Sequence, residues 1–409
     1  MTIRSTVGLE ARMLYGPATG ISNYSFHIVR GLLKQTSCYQ FRGFVGAGWR
    51  EITLASMVTA DQDEGGDENS TSSRFGNSFS ERIARLPIQL AVRFSDARPV
   101  RLLYRETYRR GFAATVRSER LDFFHAFNFR PPSDPGVPVL PVIYDLSTFR
   151  HPEYHPADRV AWLTSLGDTI ERAPLVQTIS EFSKREIIDL FGYPAERIFV
   201  APPAAAPVFT PKGENMTSRD LAPLGLKHGQ YFLAVGTLEP RKNIRTLVSA
   251  LAQLAPSARA QCPLVVVGGK GWGDLKLPRQ LDALRSEGSL RLLSGIRNMQ
   301  LRSLYEGARL LLMPSLYEGF GMPVVEAMAC GTPVAYSSCS AMEEIALTLG
   351  RVAPAEDVDA WSDVLREALS CNEHLDPTLR RLRINRARAF DWYRSAGLVL
   401  DAYRHLGLR

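Results

Sequence analysis

The stretch LLLMPSLYEGFGMPVVEAMACGTPV, residues 310–334, gives the clearest indication of the architecture of this 409-residue chain. It begins with an aliphatic run, passes through a loop with two glycines, and continues into apolar residues at helical spacing. We therefore predict a buried strand, a loop and a helix in direct succession. Pro323 suits the first turn of this helix, where a missing N–H leaves no hydrogen bond unmade.

The same alternation of strand and helix runs along the rest of the chain. The predicted strands include TIRSTVGLE, YQFRGFVG, LDFFHAF and PVLPVIYD in the first half, and YFLAVG, PLVVVGG and LRLLSG in the second. Aliphatic strands that alternate with helices form parallel sheets covered on both faces. Right-handed crossovers place the carboxyl ends of such strands at one edge, where ligands bind. The predicted fold class is therefore α/β, with two such units in tandem and a cleft between them.

A break in the alternation predicts the domain boundary. The stretch APPAAAPVFTPKGEN, residues 201–215, has the proline, alanine and polar composition of a linker. We place the boundary between Pro207 and Lys212, so that residues 1–207 form the first domain. The length of the chain exceeds the usual size of a single hydrophobic core, which also favours two domains.

Composition argues against several classes of protein. The chain is 45% hydrophobic and 22% charged, as globular proteins are, and no apolar run is long enough to span a bilayer. The N-terminus lacks a basic-then-apolar leader, so we expect a cytoplasmic location. Five scattered cysteines without metal-ligand spacing argue against a disulfide framework and a zinc site. The net charge of +7 favours an anionic partner but does not identify it.

The loop after one predicted strand carries two adjacent cations. In FLAVGTLEPRKN, Gly236 ends the strand, Arg241 and Lys242 follow in the loop, and Asn243 is placed to cap the next helix. Two cations and a helix N-terminus at the edge of a sheet suit a diphosphate. The alternative is a solvated Arg–Lys pair in a turn.

Two glutamates accompany the glycine loop of the opening stretch. Glu318 follows the strand, and Glu326 lies inside the helix. Gly319 and Gly321 allow backbone amides to approach a ligand. A carboxylate can accept hydrogen bonds from two vicinal hydroxyl groups of a sugar or a ribose. The alternative is that Glu326 complements the helix dipole and Glu318 caps a turn.

Longer stretches in both halves of the chain resemble those of a known family. In the second half they are VGTLEPRKN, LVVVGGKGW, LYEGARLLLMPSLYEGFGMPVVEAMACGTPV and FDWYRSAGLVLDAYRHL. In the first half they are IYDLSTFRHPEYHPADRVAWL and TISEFSKREII. On these stretches the chain resembles the family 4 retaining glycosyltransferases with the GT-B fold. The resemblance implies two Rossmann-like domains whose parallel sheets face each other across a cleft, with the acceptor in the first domain. It also implies a donor domain of residues 208–390 and a final helix, residues 391–409, that crosses back to the first domain.

The resemblance implies roles for individual residues. Glu318 contacts the donor sugar, Glu326 contacts the nucleotide ribose, and Arg241 with Lys242 holds the donor diphosphate. The implied donor-binding set is Gly236, Arg241, Lys242, Ile296, Glu318, Gly319, Phe320, Gly321 and Glu326. The implied catalytic set is Arg241, Lys242, Glu318 and Asp145, with no metal and no other cofactor.

The implied reaction retains the anomeric configuration of the transferred sugar. Arg241 and Lys242, with loop amides near Gly319 and Gly321, would stabilise charge on the leaving diphosphate. Either a donor phosphate oxygen or Asp145 could take the proton of the acceptor, and the sequence leaves both open.

The acceptor side departs from the family pattern. The family often has histidine before the aspartate, whereas this chain has Tyr144 before Asp145, so a sugar contact there must come from a phenol or be lost. Gly20 in GPATGIS would let a first-domain loop approach the phosphates or the acceptor. His125 in LDFFHAF could touch an acceptor, or it could be a capped loop histidine.

Other patterns are weaker. GGKGWG is a poor match to a dinucleotide fingerprint or a P-loop, because no Ser or Thr follows Lys270. The DQD sequence that begins at Asp61 lies in a polar acidic stretch, residues 61–77, which we interpret as a mobile solvated loop rather than a metal site. His151 and His155 lack a base partner nearby in sequence.

A basic helix is predicted between Arg98 and Arg120. Arginines recur every four residues along one face, at Arg101, Arg105 and Arg109, with apolar residues between them. This helix could lie on the anionic inner face of a membrane, or it could be a solvated basic face over a buried apolar face. The chain has no recognition-helix pattern and no aromatic platform, so we do not expect it to bind nucleic acid.

The predicted function is transfer of a hexose from a nucleotide-diphosphate sugar to a hydroxyl of a glycan or lipid-linked acceptor in cell-surface polysaccharide biosynthesis. GDP-mannose is the first candidate donor, because DLSTFRHPE resembles bacterial mannosyltransferases and related polysaccharide transferases. A UDP or dTDP sugar is the alternative donor. A catalytically silent homologue that binds a nucleotide sugar or a glycan, and a nucleotide-sugar oxidoreductase, are alternatives of other classes.

Overall fold

The computed structural model describes residues 5–15, 19–46, 48–57, 98–269, 271–275, 280–338 and 341–408. The acidic stretch of residues 61–77 with its DQD sequence lies outside the described residues, and so does Lys270. The described residues form two α/β domains, each built on a largely parallel sheet. The predicted fold class is therefore confirmed.

The first sheet has seven strands. They are β1 (Ser5–Glu10), β2 (Tyr39–Phe44), β3 (Trp49–Glu51), β4 (Phe123–Ala126), β5 (Val139–Ile143), β6 (Val176–Thr178) and β7 (Ile198–Val200). Their order across the sheet is β3-β2-β1-β4-β5-β6-β7. Neighbouring strands are parallel except for β2 and β3, which form an antiparallel edge.

The second sheet has six strands, all parallel to their neighbours. They are β8 (Phe232–Val235), β9 (Leu264–Val267), β10 (Leu290–Leu293), β11 (Leu310–Met313), β12 (Val334–Ser337) and β13 (Gly350–Ala353). Their order is β10-β9-β8-β11-β12-β13. Strands β9 and β11 are buried at every residue, which explains why their sequences are continuously apolar.

Helices separate most of the consecutive strands, as parallel pairing requires. In the first half they are α1 (Arg12–Tyr15), α2 (Gly20–Gln35), α3 (Arg98–Thr115), α4 (Ser147–Arg150), α5 (Ala157–Leu163), α6 (Leu166–Arg172) and α7 (Glu181–Phe191). In the second half they begin with α8 (Glu214–Leu221), α9 (Ile244–Ala252), α10 (Pro256–Gln261), α11 (Gln280–Ser286) and α12 (Asn298–Gly307). They continue with α13 (Met322–Ala329), α14 (Met342–Ala346), α15 (Val358–Ser370), α16 (Pro377–Ala387) and α17 (Trp392–His405).

The final helix, α17, packs against α2 and β7 of the first domain. A Cβ atom on Gly31 of α2 would lie 2.6 Å from Cβ of Ala396, so the two helices approach closely through small residues. Oγ of Ser395 also donates to the carbonyl of Pro202 at 2.6 Å. The chain therefore returns to the first domain after it has formed the second sheet.

Glu306 of α12 holds the start of the second domain. The backbone N–H groups of Lys212 and Gly213 donate to its carboxylate at 2.8 and 2.9 Å. Arg302 and Arg380 also pair with it. Burial would raise the pKa of Glu306, but these hydrogen bonds and charges lower it. This network attaches residues 212–213 to the second domain.

Helix α3 carries the predicted basic face. Its residues Tyr108 and Phe112 are buried against Phe44, whereas Arg105 is exposed and Leu103 is 70% exposed. The described part of α3 thus combines a buried apolar face with an exposed basic one. Within the described ranges, no helix is both long enough and apolar enough to cross a membrane.

Candidate active site

Two loops of the second domain meet where the order of its strands reverses. The chain runs outward from β8 through β9 to β10, and it then returns to form β11 on the other side of β8. The loops after β8 and β11 therefore flank this switch point, at the edge where open α/β sheets bind ligands. The first loop carries Arg241 and Lys242, and the second carries Glu318.

Lys242 and Arg241 both pair with Glu318. Nζ of Lys242 donates to Oε1 at 2.5 Å, and Nη1 of Arg241 donates to Oε2 at 3.1 Å. Burial alone would raise the pKa of Glu318, which is 6% exposed, but the two positive charges lower it to about 2. Glu318 is therefore ionised throughout the physiological pH range.

Arg241 is surrounded by oxygen atoms. Nη2 donates to Oε1 of Glu239 at 2.6 Å, and Nη1 also donates to the carbonyl of Tyr317 at 2.6 Å. Burial opposes its charge, but Glu318, Asp145 and Glu239 raise its pKa above the usual value. Nε is buried without a hydrogen-bond partner among the described residues. A guanidinium of fixed charge with an unused donor is suited to binding an anion.

Asn243 does not cap the helix that it precedes, so that prediction was wrong. Its backbone is left-handed, with φ of +53°, whereas an N-cap residue is normally extended, and its side chain makes no capping hydrogen bond to α9. Nδ2 donates instead to the carbonyls of Pro314 at 3.1 Å and Ala355 at 2.6 Å. Asn243 thus ties the loop after β8 to the ends of β11 and β13.

Asp145 comes to this cluster from the first domain, where it follows β5. Its Oδ1 accepts hydrogen bonds from N and Oγ of Ser147 at 3.0 and 2.5 Å. Burial would raise the pKa of Asp145, but the charge of Arg241 and the bonds from Ser147 lower it. The predicted catalytic residues are therefore brought together: three form ion pairs, and Asp145 interacts electrostatically with Arg241.

Gly319 allows the two domains to meet beside this cluster. A Cβ atom on Gly319 would lie 2.0 Å from the carbonyl oxygen of Tyr144, so only glycine fits there. The carbonyl of Gly319 accepts a hydrogen bond from Oγ of Ser180 at 2.7 Å. Gly321 has φ of +106°, in the left-handed region that favours glycine, and α13 begins directly after it.

Glu326 lies on α13 and has a different environment. Oη of Tyr305 donates to Oε2 of Glu326 at 2.8 Å. Burial raises the pKa of Glu326 to about 7, with the Tyr305 hydrogen bond opposing the increase. Glu326 therefore changes its charge near neutral pH, unlike Glu318.

The other predicted donor-binding residues lie around the same sheet edge. A Cβ atom on Gly236 would lie 3.3 Å from Cε of Lys242, so this glycine packs directly against the side chain of Lys242. Phe320 is buried with its ring edge-on to Phe390, 5.4 Å between centroids. Ile296 is half-buried in the segment after β10. Among the described residues, no group of three or more His, Cys, Asp or Glu side chains is arranged to hold a metal ion.

The structure does not place the predicted acceptor side chains beside the cluster. His125 is fully buried, its Nδ1 is 2.7 Å from Oη of Tyr403 on α17, and burial lowers its pKa to about 3. Tyr144 is also buried, and its phenol donates to the carbonyl of Phe127 at 2.8 Å. Both side chains are thus buried in the core, and their role toward an acceptor stays a prediction. Gly20 is exposed at the start of α2, and residues 16–18 before it lie outside the described ranges.

Sequence reasoning assigned no role to several polar residues around this site. Glu239 lies in the same loop as Arg241 and Lys242, but no sequence motif marks it as part of a site. Tyr305 lies on α12 and donates a hydrogen bond to Glu326 on α13. His155 has both ring nitrogens buried without a hydrogen-bond partner among the described residues. Burial lowers the pKa of His155 to about 4, and Arg159 contributes to the decrease.

Two Rossmann-like domains, with a buried cation–carboxylate cluster at the switch point of the second, define the GT-B class of glycosyltransferase. Residues 220–388 match the family described as "Glycosyl transferases group 1". The O-antigen chain mannosyltransferase B of Escherichia coli is 33% identical over 393 residues, which cover 95% of this chain and 97% of that protein. The chain therefore belongs to the group 1 glycosyltransferases, and the predicted family and enzyme class are confirmed.

Solved structures show the same fold over nearly the whole chain. Sucrose-phosphate synthase from Thermosynechococcus elongatus has a TM-score of 0.67 at 19% identity, covering 98% of this chain and 99% of that chain. HepE of Anabaena, solved in complex with UDP-glucose, has a TM-score of 0.65 at 16% identity, covering 98% and 100%. At these identities the similarity concerns the fold alone.

Replacing Lys242 by alanine should lower the rate of transfer at saturating donor. The ammonium is expected to stabilise the leaving diphosphate by about 2 to 4 kcal/mol, which corresponds to a loss of about thirtyfold to a thousandfold. The rate is measured as release of nucleotide diphosphate by protein with an unchanged circular dichroism spectrum. Arg245→Ala is the matched control, because this neighbouring cation is half-buried and pairs with Glu356 at 2.5 Å instead of with Glu318. If Lys242→Ala kept the parental rate, the ammonium of Lys242 would have no role in the transfer step.

The affinity for a nucleotide sugar should depend on the ionisation of Glu326. An ionised carboxylate accepts hydrogen bonds from the hydroxyl groups of a ribose more strongly than a neutral carboxyl does, and the pKa of Glu326 is about 7 in the free protein. We expect the dissociation constant to increase as the pH falls from about 8 to about 6. Titration calorimetry with a nucleotide sugar measures this, because the esterified diphosphate does not itself titrate in that range.

Glu326→Gln is the control for this pH dependence, because its amide does not titrate. We expect weaker binding and a flat pH profile, and a profile that kept the parental slope would show that another group is responsible. The raised pKa also means that folding favours the protonated carboxyl. The corresponding stability is present below the unfolded pKa of 4.5 and is lost as the pH rises through about 7.

Proposed function

We propose that this glycosyltransferase transfers mannose from GDP-mannose to a hydroxyl of a glycan or lipid-linked acceptor in cell-surface polysaccharide biosynthesis. The name and the 95% coverage of the O-antigen chain mannosyltransferase B support the sugar and the type of product. The structural observation on which the proposal depends is the Arg241–Lys242 pair at the switch point. A nucleotide-diphosphate sugar offers the anion and the hydroxyl groups that these cations and the nearby carboxylates can bind.

In this proposal the second domain, residues 208–390, binds the donor, and the first, residues 1–207, binds the acceptor. Arg241 and Lys242 turn part of their hydrogen bonding from Glu318 to the diphosphate. Glu318 then accepts hydroxyl groups of the transferred sugar, and Glu326 accepts those of the ribose. The glycines of the loop leave its amides open to a phosphate, at the N-terminus of α13.

The proposed reaction retains the configuration of the anomeric carbon. The bond from this carbon to the diphosphate oxygen breaks, its electron pair leaves on the diphosphate, and the acceptor oxygen forms the new bond on the same face. Arg241 and Lys242 stabilise the leaving charge, so the proposed reaction is independent of a metal. We assign the acceptor proton to the leaving phosphate oxygen of the donor, because this oxygen gains basicity as its bond to the anomeric carbon breaks, whereas the charge of Arg241 lowers the pKa of Asp145. Asp145 then orients the acceptor hydroxyl.

A panel of nucleotides should identify the donor. A ligand at a hundred times its dissociation constant adds about 2.7 kcal/mol of stability, so thermal unfolding with GDP, UDP and dTDP ranks their affinities. We expect the largest increase in unfolding temperature with GDP, and transfer or slow hydrolysis with GDP-mannose. A larger increase with UDP or dTDP would contradict the proposed donor. Stabilisation without turnover of any nucleotide sugar would instead indicate a silent binding homologue.

We also propose that α3 brings the protein to the inner face of a membrane from the cytoplasm, which suits a lipid-linked acceptor. The exposed Arg105 and the 70% exposed Leu103 support this. The protein should sediment with vesicles that contain anionic lipid and not with zwitterionic vesicles. Leu103→Ser with Arg105→Ser should reduce this binding, and equal sedimentation of parent and variant would exclude α3 as the contact.

A further inference from the structure

Tyr317 connects the donor-side cluster to the first domain. It is the residue before Glu318 in the loop after β11, and it is only 3% exposed. Its carbonyl accepts the 2.6 Å hydrogen bond from Nη1 of Arg241. The backbone of the preceding residue, Leu316, donates to the carbonyl of Arg241 at 2.8 Å. The main chain at Tyr317 is therefore part of the structure that positions the cations.

The side chain of Tyr317 crosses into the first domain. Its phenol donates to Oε2 of Glu186 on α7 and accepts a hydrogen bond from the backbone N–H of Leu146, both at 3.3 Å. Its ring packs edge-on against Phe182 at 5.3 Å and against His151 at 5.9 Å. One residue of the second domain thus contacts three segments of the first.

The contact with Leu146 bears on the reaction because Leu146 directly follows Asp145. A hydrogen bond to this N–H restrains the peptide that carries Asp145. The same phenol is held in place by Glu186, which Arg150 fixes through a 2.8 Å hydrogen bond from Nε. Tyr317 therefore links the loop of Asp145 to the loop that holds Arg241.

The hydroxyl group of Tyr317 also keeps its proton. Burial raises the pKa of Tyr317, and the negative charges of Asp145 and Glu186 raise it further. The hydroxyl group therefore remains neutral at physiological pH and can donate to Glu186 while it accepts from Leu146. This pattern fixes the direction of both hydrogen bonds.

We propose that Tyr317 is a positioning residue for glycosyl transfer, whose hydroxyl group aligns Asp145 of the first domain with the Arg241–Lys242 pair of the second. The inference rests on the proposed transfer reaction, and it is independent of which sugar and which nucleotide are used. Removal of the Tyr317 hydroxyl should slow glycosyl transfer, because that step uses residues of both domains. It should leave the affinity of the second domain for the donor unchanged.

A second contact between the domains provides a control variant. It tests whether the loss of any contact between the domains lowers the rate. The carboxylate of Glu344 accepts hydrogen bonds from the N–H of Glu181 at 2.9 Å and from Nη2 of Arg185 at 3.2 Å. Like Tyr317, it crosses from the second domain to α7. The backbone of Phe182 also bonds to this carboxylate. Glu344→Ala therefore removes contacts between the domains while it leaves the hydrogen bonds of Tyr317 to Leu146 and to Arg241 in place.

The experiment compares Tyr317→Phe and Glu344→Ala with the parent protein. Turnover is measured with the nucleotide sugar that gives the highest parental rate, and the dissociation constant of the donor is measured without acceptor. For Tyr317→Phe we expect kcat to fall about tenfold, as one or two lost hydrogen bonds would produce, with an unchanged donor dissociation constant. For Glu344→Ala we expect kcat within about twofold of the parent.

Three results would overturn the inference. They are a parental kcat in Tyr317→Phe, an equal loss of kcat in both variants, and a weakened donor affinity in Tyr317→Phe. The unfolding temperatures of all three proteins are compared, because a folding defect would lower the fraction of active enzyme rather than the rate of each active site. Titration of the active sites measures this fraction and corrects kcat for it. If GDP-mannose is not the best donor, the donor assignment fails while this comparison still decides the role of Tyr317.

Discussion

The pairing of Glu318 with Lys242 and Arg241 is the interaction on which the site depends. A carboxylate or a cation buried alone would lose its hydration at a high cost in free energy. The ion pairs with Glu318 offset this cost for Arg241 and Lys242, whose side chains are only 13% and 14% exposed. The pairs also join the loop after β8 to the loop after β11. The protein therefore maintains two cations where little water screens their charge, as stabilisation of a leaving anion requires.

The two glutamates of one loop and helix acquire different charge behaviour from their surroundings. Burial would raise the pKa of both carboxyl groups. Two neighbouring cations overcome this effect at Glu318, whose pKa is about 2. Glu326 accepts a hydrogen bond from the hydroxyl of Tyr305 and has no cation beside it among the described residues, and its pKa is about 7. One site thus contains a permanent anion and a group that titrates near neutral pH, which suits different contacts with a bound nucleotide sugar.

Sequence reasoning succeeded where a feature depends on neighbours along the chain. The α/β class, the strand before Glu318 and the loop with Arg241 and Lys242 follow from periodicity and from local glycine and proline positions. It failed for Asn243 because the backbone there is left-handed rather than extended, and the side-chain amide donates to the carbonyls of Pro314 and Ala355 instead of capping the helix. The close approach at Gly319 was expected to serve a ligand, yet in the structure it also accommodates the carbonyl of Tyr144 from the other domain.

The amino-acid sequence by itself determined the family, the two sheets, and the identity of the cations and glutamates, because hydrophobic period and motif spacing are local properties. Only the tertiary structure decided which of these groups are charged and what they contact. His125 meets Tyr403 across 278 positions of the chain, and it becomes a neutral core residue. Desolvation and ion pairing depend on atoms that are close in space and distant in sequence, so no local pattern reports them.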